Sequence, residues 1–450
     1  MTSLLQKKVG RRQWLRTVGA AAMLGSLGRM NALSQNAPPS YKALVCVFLA
    51  GGNDGHNTII PLTQSLFNSY KAGRGSLALP DNNGPLLQVQ SDNGDPYGLN
   101  PGLAAIHPLW ASQKLAVLAN TGMLIEPVTR AGYLGKSVAV PTNLFSHSDQ
   151  IQQMQTSYGS TSGGTGWGGR TADKVQASNN GSTFPSAVSI AGPSLFCVGD
   201  VVQSASLMPG FNLDMAGMNL WPQAATAARK NGIQQILQMN SGMTLVQAAN
   251  QVRKDALDLN SLLSGSSATL GTTFPGTSIG MQLQQVAKII KLRNTTGMSR
   301  QVFFCSLGGF DTHGAQGWQH WDLLRQLSEA LIAFYNSTVE MGVADSVTSF
   351  TLSDFGRSLQ PSGSGTDHGW GNHHIVLGGA VSGGKVYGQF PDLSLGGPSD
   401  SGSRGTLIPT TALDQYGATL ASWFGVPSDQ LDAVFPNLKN FQTKTLGFLA

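Results

Sequence analysis

Charge is scarce in this chain. Asp, Glu, Lys and Arg make up 11% of its 450 residues, against about a quarter in an average globular protein. Glycine is correspondingly abundant at 56 residues, so the surface must be built largely from Gly, Ser, Thr, Asn and Gln. Such a surface suits an exported protein better than a cytosolic one. Cysteine is limited to Cys46, Cys197 and Cys305. Two of these lie within apolar runs, where a thiol behaves as a small hydrophobe, and three such residues do not make a disulfide framework. Past the N-terminal stretch, no segment reaches the roughly 18 uncharged apolar residues of a membrane helix. A phosphate-binding loop is missing too. The glycines of Gly163-Gly164 and Gly168-Gly169 precede Arg170 and are followed by no loop lysine, which argues against a nucleotide.

The basic charge that does exist is concentrated at the start. Lys7, Lys8, Arg11, Arg12, Arg16 and Arg29 stand in residues 1–30 with no acid among them. Taking these six from the 28 Lys and Arg leaves 22 against 23 acids, a net of −1. The basic balance therefore belongs to the leader and gives no reason to expect nucleic-acid binding. Arg11-Arg-Gln-Trp-Leu15 followed by the weakly apolar Val18 to Leu27 reads as a twin-arginine export signal over residues 1–37. The twin-arginine translocase is then a partner during export, and the mature chain is expected to be periplasmic or secreted, with no membrane span.

What remains, residues 38–450, reads as one α/β domain. Apolar runs at 44–50, 115–119, 301–306, 347–352 and 375–381 have the continuous hydrophobicity of strands buried on both faces. Trp318 to Tyr335 has the length and period of a crossover helix between the third and fourth runs. The expected architecture is a mostly parallel central sheet with helices on both faces. Residues 208–276, helical in period and ending in a Ser/Gly/Thr linker, read as an insertion or cap.

Three of the strand-like runs end in the same way. Leu44–Ala50 runs into Gly51-Gly-Asn-Asp-Gly-His56, and Gln301–Ser306 into Gly308-Gly-Phe-Asp-Thr-His313. The run ending at Leu352 leads to Ser353-Asp-Phe-Gly-Arg357, then Thr366-Asp-His-Gly-Trp-Gly-Asn-His-His374. Ligands of open α/β sheets bind at the carboxyl ends of strands, so Asp54, Asp311 and Asp354 should meet on one rim. Of eight histidines, six lie in or beside these loops or at Phe145-Ser-His147: His56, His147, His313, His368, His373 and His374. Carboxylates with imidazoles make a mixed nitrogen and oxygen site that suits Zn²⁺ and tolerates Mn²⁺ or Mg²⁺. The metal set read from the loops is Asp54, Asp311, His313, Asp354 and His368. Ser146 is the candidate nucleophile, although a helix cap accounts for it equally well. Arg357 and Arg170 are candidate anion clamps, and His147 and His373 candidate substrate contacts.

Seven motifs in order carry a family resemblance: Arg11-Arg12 with Trp14-Leu15, Gly51-Gly-Asn-Asp-Gly55, Phe145-Ser-His147, Gly309-Phe-Asp-Thr-His313, Ser353-Asp-Phe-Gly-Arg357, Thr366-Asp-His-Gly369 and Gly383-Gly-Lys-Val-Tyr-Gly388. The chain resembles the bacterial domain-of-unknown-function 1501 family, which is similar to the alkaline phosphatase and sulfatase superfamily. The resemblance implies an alkaline-phosphatase-like fold with a two-metal centre. By position it makes Asp54 the first-strand carboxylate ligand, Asp311 and His313 the Asp-and-His pair, Asp354 the later carboxylate, His368 the last histidine ligand and Ser146 the nucleophile. Phe355 departs from the pattern, because the superfamily often has His there. The second metal site is then one ligand short, and one ion (Zn²⁺ foremost, or Mn²⁺, Mg²⁺ or Ca²⁺) is as consistent with the sequence as two. Together these features point to a metal-dependent hydrolase of phosphate or sulfate esters, acting on a small anionic ester or a polysaccharide. A non-catalytic binding protein of the same fold, for a surface polysaccharide or a protein partner, is the alternative.

Overall fold

The first apolar run forms the centre of the molecule. In the computed structural model it is β1, Lys42–Ala50, with Ala43 to Leu49 all buried. The structure describes residues 40–160, 164–179, 181–202, 204–209, 220–239 and 268–449, with scattered positions between 242 and 257; the leader lies outside the described residues. Among the described residues, thirteen further strands follow in chain order: β2 Ile59–Pro61, β3 Leu87–Gln90, β4 Pro96–Leu99, β5 Leu115–Gly122, β6 Ala187–Ser189, β7 Ser204–Ser206, β8 Arg300–Gly308, β9 Val347–Ser353, β10 Arg357–Ser362, β11 Gly365–His368, β12 Asn372–Gly378, β13 Lys385–Tyr387 and β14 Thr411–Ala412. The described helices of eight or more residues are α1 Gln64–Arg74, α2 His147–Thr156, α3 Trp167–Lys174, α4 Thr226–Gln238, α5 Ser278–Lys291, α6 Gln316–Glu340 and α7 Leu413–Phe424.

The main sheet runs β13-β5-β12-β9-β1-β8-β6-β7, with β14 beside β5. β1 pairs in parallel with β8 on one side and β9 on the other. Side chains of β1 alternate between two cores. Ala43, Val45, Val47 and Leu49 pack with residues of α5 and α6, and Leu44, Cys46 and Phe48 with residues of α7 and α3. Burial on both faces explains why the run reads as unbroken hydrophobicity. The expected architecture, a mostly parallel sheet covered on both sides, is the one observed. Residues 41–450 form one compact unit. Of the helical stretch expected at 208–276, α4 is described, and most of residues 240–267 lie outside the described residues.

Two details set the site. First, α6 carries the chain from β8 past β1 to β9, so the three loops after β8, β1 and β9 lie side by side. Second, β12 is antiparallel to both β5 and β9. No helix separates β9 from β12, only the β10–β11 hairpin, and a hairpin returns the chain in the opposite direction. The beginning of β12 therefore lies at the same edge as the ends of β1, β8 and β9. Residues that precede one strand and follow three others share a rim for this reason.

The rim is tightly closed. Gly51 has a φ of +116°, and a Cβ there would stand 2.3 Å from the backbone nitrogen of Asp311. Only glycine lets the end of β1 approach the Asp311 loop this closely.

Candidate metal centre

Asp354, at the end of β9, is fully buried. One carboxylate oxygen accepts from the Gly51 backbone N–H at 3.1 Å, and the other faces His147 Nδ1 at 2.7 Å. That bond raises the pKa of His147 above its usual value. It also places the Nδ1 proton of His147, because a carboxylate can only accept.

His368, at the end of β11, is fixed in the same manner from another direction. Its Nδ1 lies 2.7 Å from the Phe145 carbonyl oxygen, also an acceptor only. Phe145 reaches this position with a φ of +72°, a conformation costly for a bulky side chain. Burial lowers the pKa of His368, so its ring is neutral with the proton on Nδ1 and a lone pair on Nε2.

The consequence is a set of converging donors. His147 Nε2 lies 3.2 Å from His368 Nε2, and each is 3.4 Å from Asp311 Oδ1. Tetrahedral ligands at the usual zinc–nitrogen distance of about 2.0–2.1 Å are separated by about 3.3 Å. The triangle therefore has the size of one face of a zinc tetrahedron. Two imidazole lone pairs and a carboxylate oxygen turned towards one point repel unless a cation stands among them. His147, Asp311 and His368 thus form a candidate metal site of histidine and aspartate. Asp354 and the Phe145 carbonyl hold the outer nitrogens, as partners of metal-bound histidines generally do.

His313 joins the edge of this triangle. Its Nε2 is 2.9 Å from Asp311 Oδ1 and 3.1 Å from His368 Nε2, and its side chain is 49% exposed. Arg357 supports Asp311 from inside, donating from Nη1 at 3.1 Å. Burial pushes the Asp311 carboxyl up, but Arg357 and the neighbouring histidines outweigh it, and the net shift is downward. Phe355 lies under the site, its ring centroid 4.7 Å from His147 and 4.8 Å from His368.

Several residues hold places that differ from the sequence reading. Asp354 contacts His147 as an outer partner, and His147, expected as a substrate contact, stands in the donor triangle. Asp54 lies away from the triangle and is fully buried against the guanidinium of Arg74 and the amide of Gln316. Arg357 is 1% exposed and donates to Gly51 O, Asp311, Thr366 Oγ1 and Thr366 O, so it steadies the site from within. Arg170 is no anion clamp. It is 2% exposed and donates to the carbonyls of Thr156, Thr165 and Val434. Ser146 is the N-cap of α2, and its hydroxyl donates to Asp149 at 2.5 Å. His373 is no substrate contact, because β12 begins three residues earlier than the apolar run and takes His373 inside the sheet. There its Nδ1 accepts from the Asn120 N–H at 2.9 Å while its ring stacks on Phe390.

Four histidines are sealed in the interior: His56, His320, His373 and His374. Burial lowers all four, His56 to about 4 and His320 and His374 to about 3. A histidine with a depressed folded pKa binds its proton more readily unfolded, so stability is lost as pH falls below the unfolded value of about 6.5. Asp414 opposes one of them, because burial raises it to about 7. The net expectation is a loss on the order of 1 kcal/mol per pH unit for each uncompensated histidine. Urea midpoints between pH 6.5 and 5 check this; a flat profile would contradict it.

Matches to known proteins bear on the family. The family model described as "Protein of unknown function (DUF1501)" matches residues 41–411. The chain belongs to this family. No curated protein matches it by sequence. Among solved structures it is similar to the PsFucS1 sulfatase from Pseudoalteromonas sp., at 10% identity and a TM-score of 0.33, covering 95% of this chain and 75% of that one. It is similar to a mutant of the alkaline phosphatase PafA, at 14% identity and a TM-score of 0.29, covering 72% and 64%. It is also similar to Ps i-CgsB in complex with a neocarrahexaose, at 10% identity and a TM-score of 0.33, covering 90% and 77%.

Proposed function

We propose that this protein is a metal-dependent hydrolase of phosphate or sulfate esters, exported through the twin-arginine route to the periplasm. The observation that carries the metal is the triangle of His147 Nε2, His368 Nε2 and Asp311 Oδ1, with edges of 3.2, 3.4 and 3.4 Å and both histidine tautomers fixed. Two nitrogens and one carboxylate oxygen favour Zn²⁺, with Mn²⁺ next, over the all-oxygen preference of Mg²⁺ or Ca²⁺. When bound, such an ion supplies Lewis acidity towards an ester oxygen.

The protein's own groups provide the rest. Asp311 and His313 are about half exposed, at 46% and 49%, so the centre is open on one side to a ligand. His313 Nε2 stands at that open edge, 2.9 Å from Asp311 Oδ1. Arg404 supplies a half-buried guanidinium at the edge of the site, donating to Asp367 and to Pro361 O at 3.0 Å. Asp367 in turn lies 3.8 Å from His313 Nδ1. Arg404 is then the residue we assign to the anion-binding role that the sequence suggested for Arg357 and Arg170. The substrate is an anionic ester, small or part of a polysaccharide.

The test is metal content with ester hydrolysis. Purified protein is expected to hold Zn²⁺, and its melting temperature to fall when a chelator removes it. At a free metal concentration a hundredfold above Kd, binding stabilises the fold by about 2.7 kcal/mol. Hydrolysis of aryl phosphate or aryl sulfate should require the metal. Loss of that activity in Ser146→Ala assigns the attack to serine, and retained activity assigns it to water. Protein that holds no metal and melts alike with chelator or added Zn²⁺ rules the proposal out. Metal without hydrolysis leaves the binding-protein reading. Cytoplasmic accumulation of the Arg11→Lys, Arg12→Lys precursor tests export.

A further inference from the structure

A line of buried polar groups runs behind the site from Asp54 to Asp311, and each link has one solution. Arg357 Nε donates to Thr366 Oγ1 at 2.9 Å. That hydroxyl must then send its own proton elsewhere, and it donates to Gln316 Oε1 at 2.6 Å. The Gln316 amide is thereby oriented, and its Nε2 donates to Asp54 Oδ2. The reverse orientation would turn an amide oxygen towards the Asp54 carboxylate and an NH₂ towards a hydroxyl already receiving a proton. Arg74, ion-paired with Asp54 and donating to Asn57 Oδ1 and the carbonyls of Ser358 and Leu359, holds the far end. Asp54, Arg74, Gln316 and Thr366 are all 0% exposed and Arg357 is 1% exposed.

The output of the line is the pose of one guanidinium. With Nε directed at Thr366, Arg357 Nη1 is shared between Gly51 O at 3.0 Å and Asp311 Oδ1 at 3.1 Å. Asp311 is the loosest member of the donor triangle, since its side chain is 46% exposed while that of His368 is 25% exposed. It is the one that needs an internal support. A planar guanidinium holds a carboxylate oxygen in a defined direction, which a flexible ammonium would not.

We propose that Gln316 and Thr366 are positioning residues for the metal centre. They aim Arg357, and through it the Asp311 carboxylate, at the point shared with His147 and His368. The charge of Asp54 sets the orientation of the whole line, which gives that buried carboxylate a role other than ligand. The proposal rests on the metal-centre reading above, and its test separates the two.

Zn²⁺ affinity, measured by competition with a chromophoric chelator, is compared with the melting temperature of the metal-free protein. Thr366→Val keeps the shape and removes the hydroxyl; it acts one bond beyond Arg357, the partner of Asp311, and is expected to weaken Zn²⁺ binding about 10-fold, the low end of the effect of losing an outer partner. Thr366→Ser restores the hydroxyl and should return affinity to within about threefold of wild type, short of that loss. Gln316→Met, of similar length but without the amide, should weaken binding as Thr366→Val does, and it serves if the valine variant does not fold. A variant whose metal-free melting point drops while its Zn²⁺ affinity stays at the wild-type value shows a structural role only and overturns the proposal. So does a serine variant as weak as the valine one. Wild-type protein that binds no Zn²⁺ sinks the metal centre itself.

Discussion

His147→Ala and His368→Ala are each expected to abolish stoichiometric Zn²⁺ binding. Each removes one of three donors whose separations of 3.2–3.4 Å fit a single ion. Loss of an outer partner alone costs about 10- to 100-fold in metal affinity, so loss of a ligand should exceed about 100-fold. Asp354→Asn should fall in the outer-partner range, because it removes the carboxylate that fixes His147 Nδ1 and leaves the ring in place. His313→Ala should weaken binding less than either ligand change, since His313 stands on an edge of the triangle. His320→Ala should leave affinity unchanged, because His320 is buried against Asn53 Oδ1 at 3.0 Å. Isothermal titration with Zn²⁺ at fixed pH orders these variants. Wild-type affinity in both His147→Ala and His368→Ala would refute the assignment. The pH must be held constant, because Asp354 raises the pKa of His147 and metal ions compete with protons for histidine nitrogens.

The sheet was legible from the sequence because its strands are buried on both faces, and a short continuous run such as 44–50, rich in Val and Leu and closed by two glycines, suits a buried strand better than a helix. The shared rim was legible for the same reason, since a carboxylate follows three of those runs. The direction of β12 was not. It depends on residues 354–371 forming a hairpin and not a helix, and that segment carries Gly and Ser without a clear strand period. The division of labour inside the site was hidden as well. Spacing along the chain places Asp354 and His147 in the same neighbourhood but does not tell a ligand from the group that orients it. One sign was present: Phe145-Ser-His147 stands alone ahead of a helix, where an ordinary cap needs no histidine. Arg170 misled because it follows a Gly-rich loop. Gly169 beside it serves packing, since a Cβ there would stand 2.2 Å from the Val198 backbone. Arg74 gave no sign at all. It ends a polar helix 20 residues after Asp54, where a basic residue normally faces water.

That ion pair carries the largest expected effect on stability. Asp54 and Arg74 are both 0% exposed in their side chains. Removing one partner of a buried pair leaves the other charge without compensation, which typically costs 3–5 kcal/mol, about a third or more of the stability of an ordinary domain. Arg74→Met is expected to lose at least this much, because it also strips donors from Asn57 Oδ1, Ser358 O and Leu359 O. The double variant Asp54→Asn with Arg74→Met removes both charges, and should be more stable than Arg74→Met alone by roughly 2 kcal/mol or more. An Asn at position 54 still offers an oxygen to Gln316 Nε2, so the line to Asp311 survives in part. Urea unfolding of the metal-free proteins measures this coupling. If Asp54 were a metal ligand, the outcome would be reversed. Asp54→Asn would then leave metal-free stability intact and lower Zn²⁺ affinity as far as His368→Ala does. With Arg74 as the counter-ion of Asp54 and three donors converging elsewhere, the expected stoichiometry is one Zn²⁺ per chain.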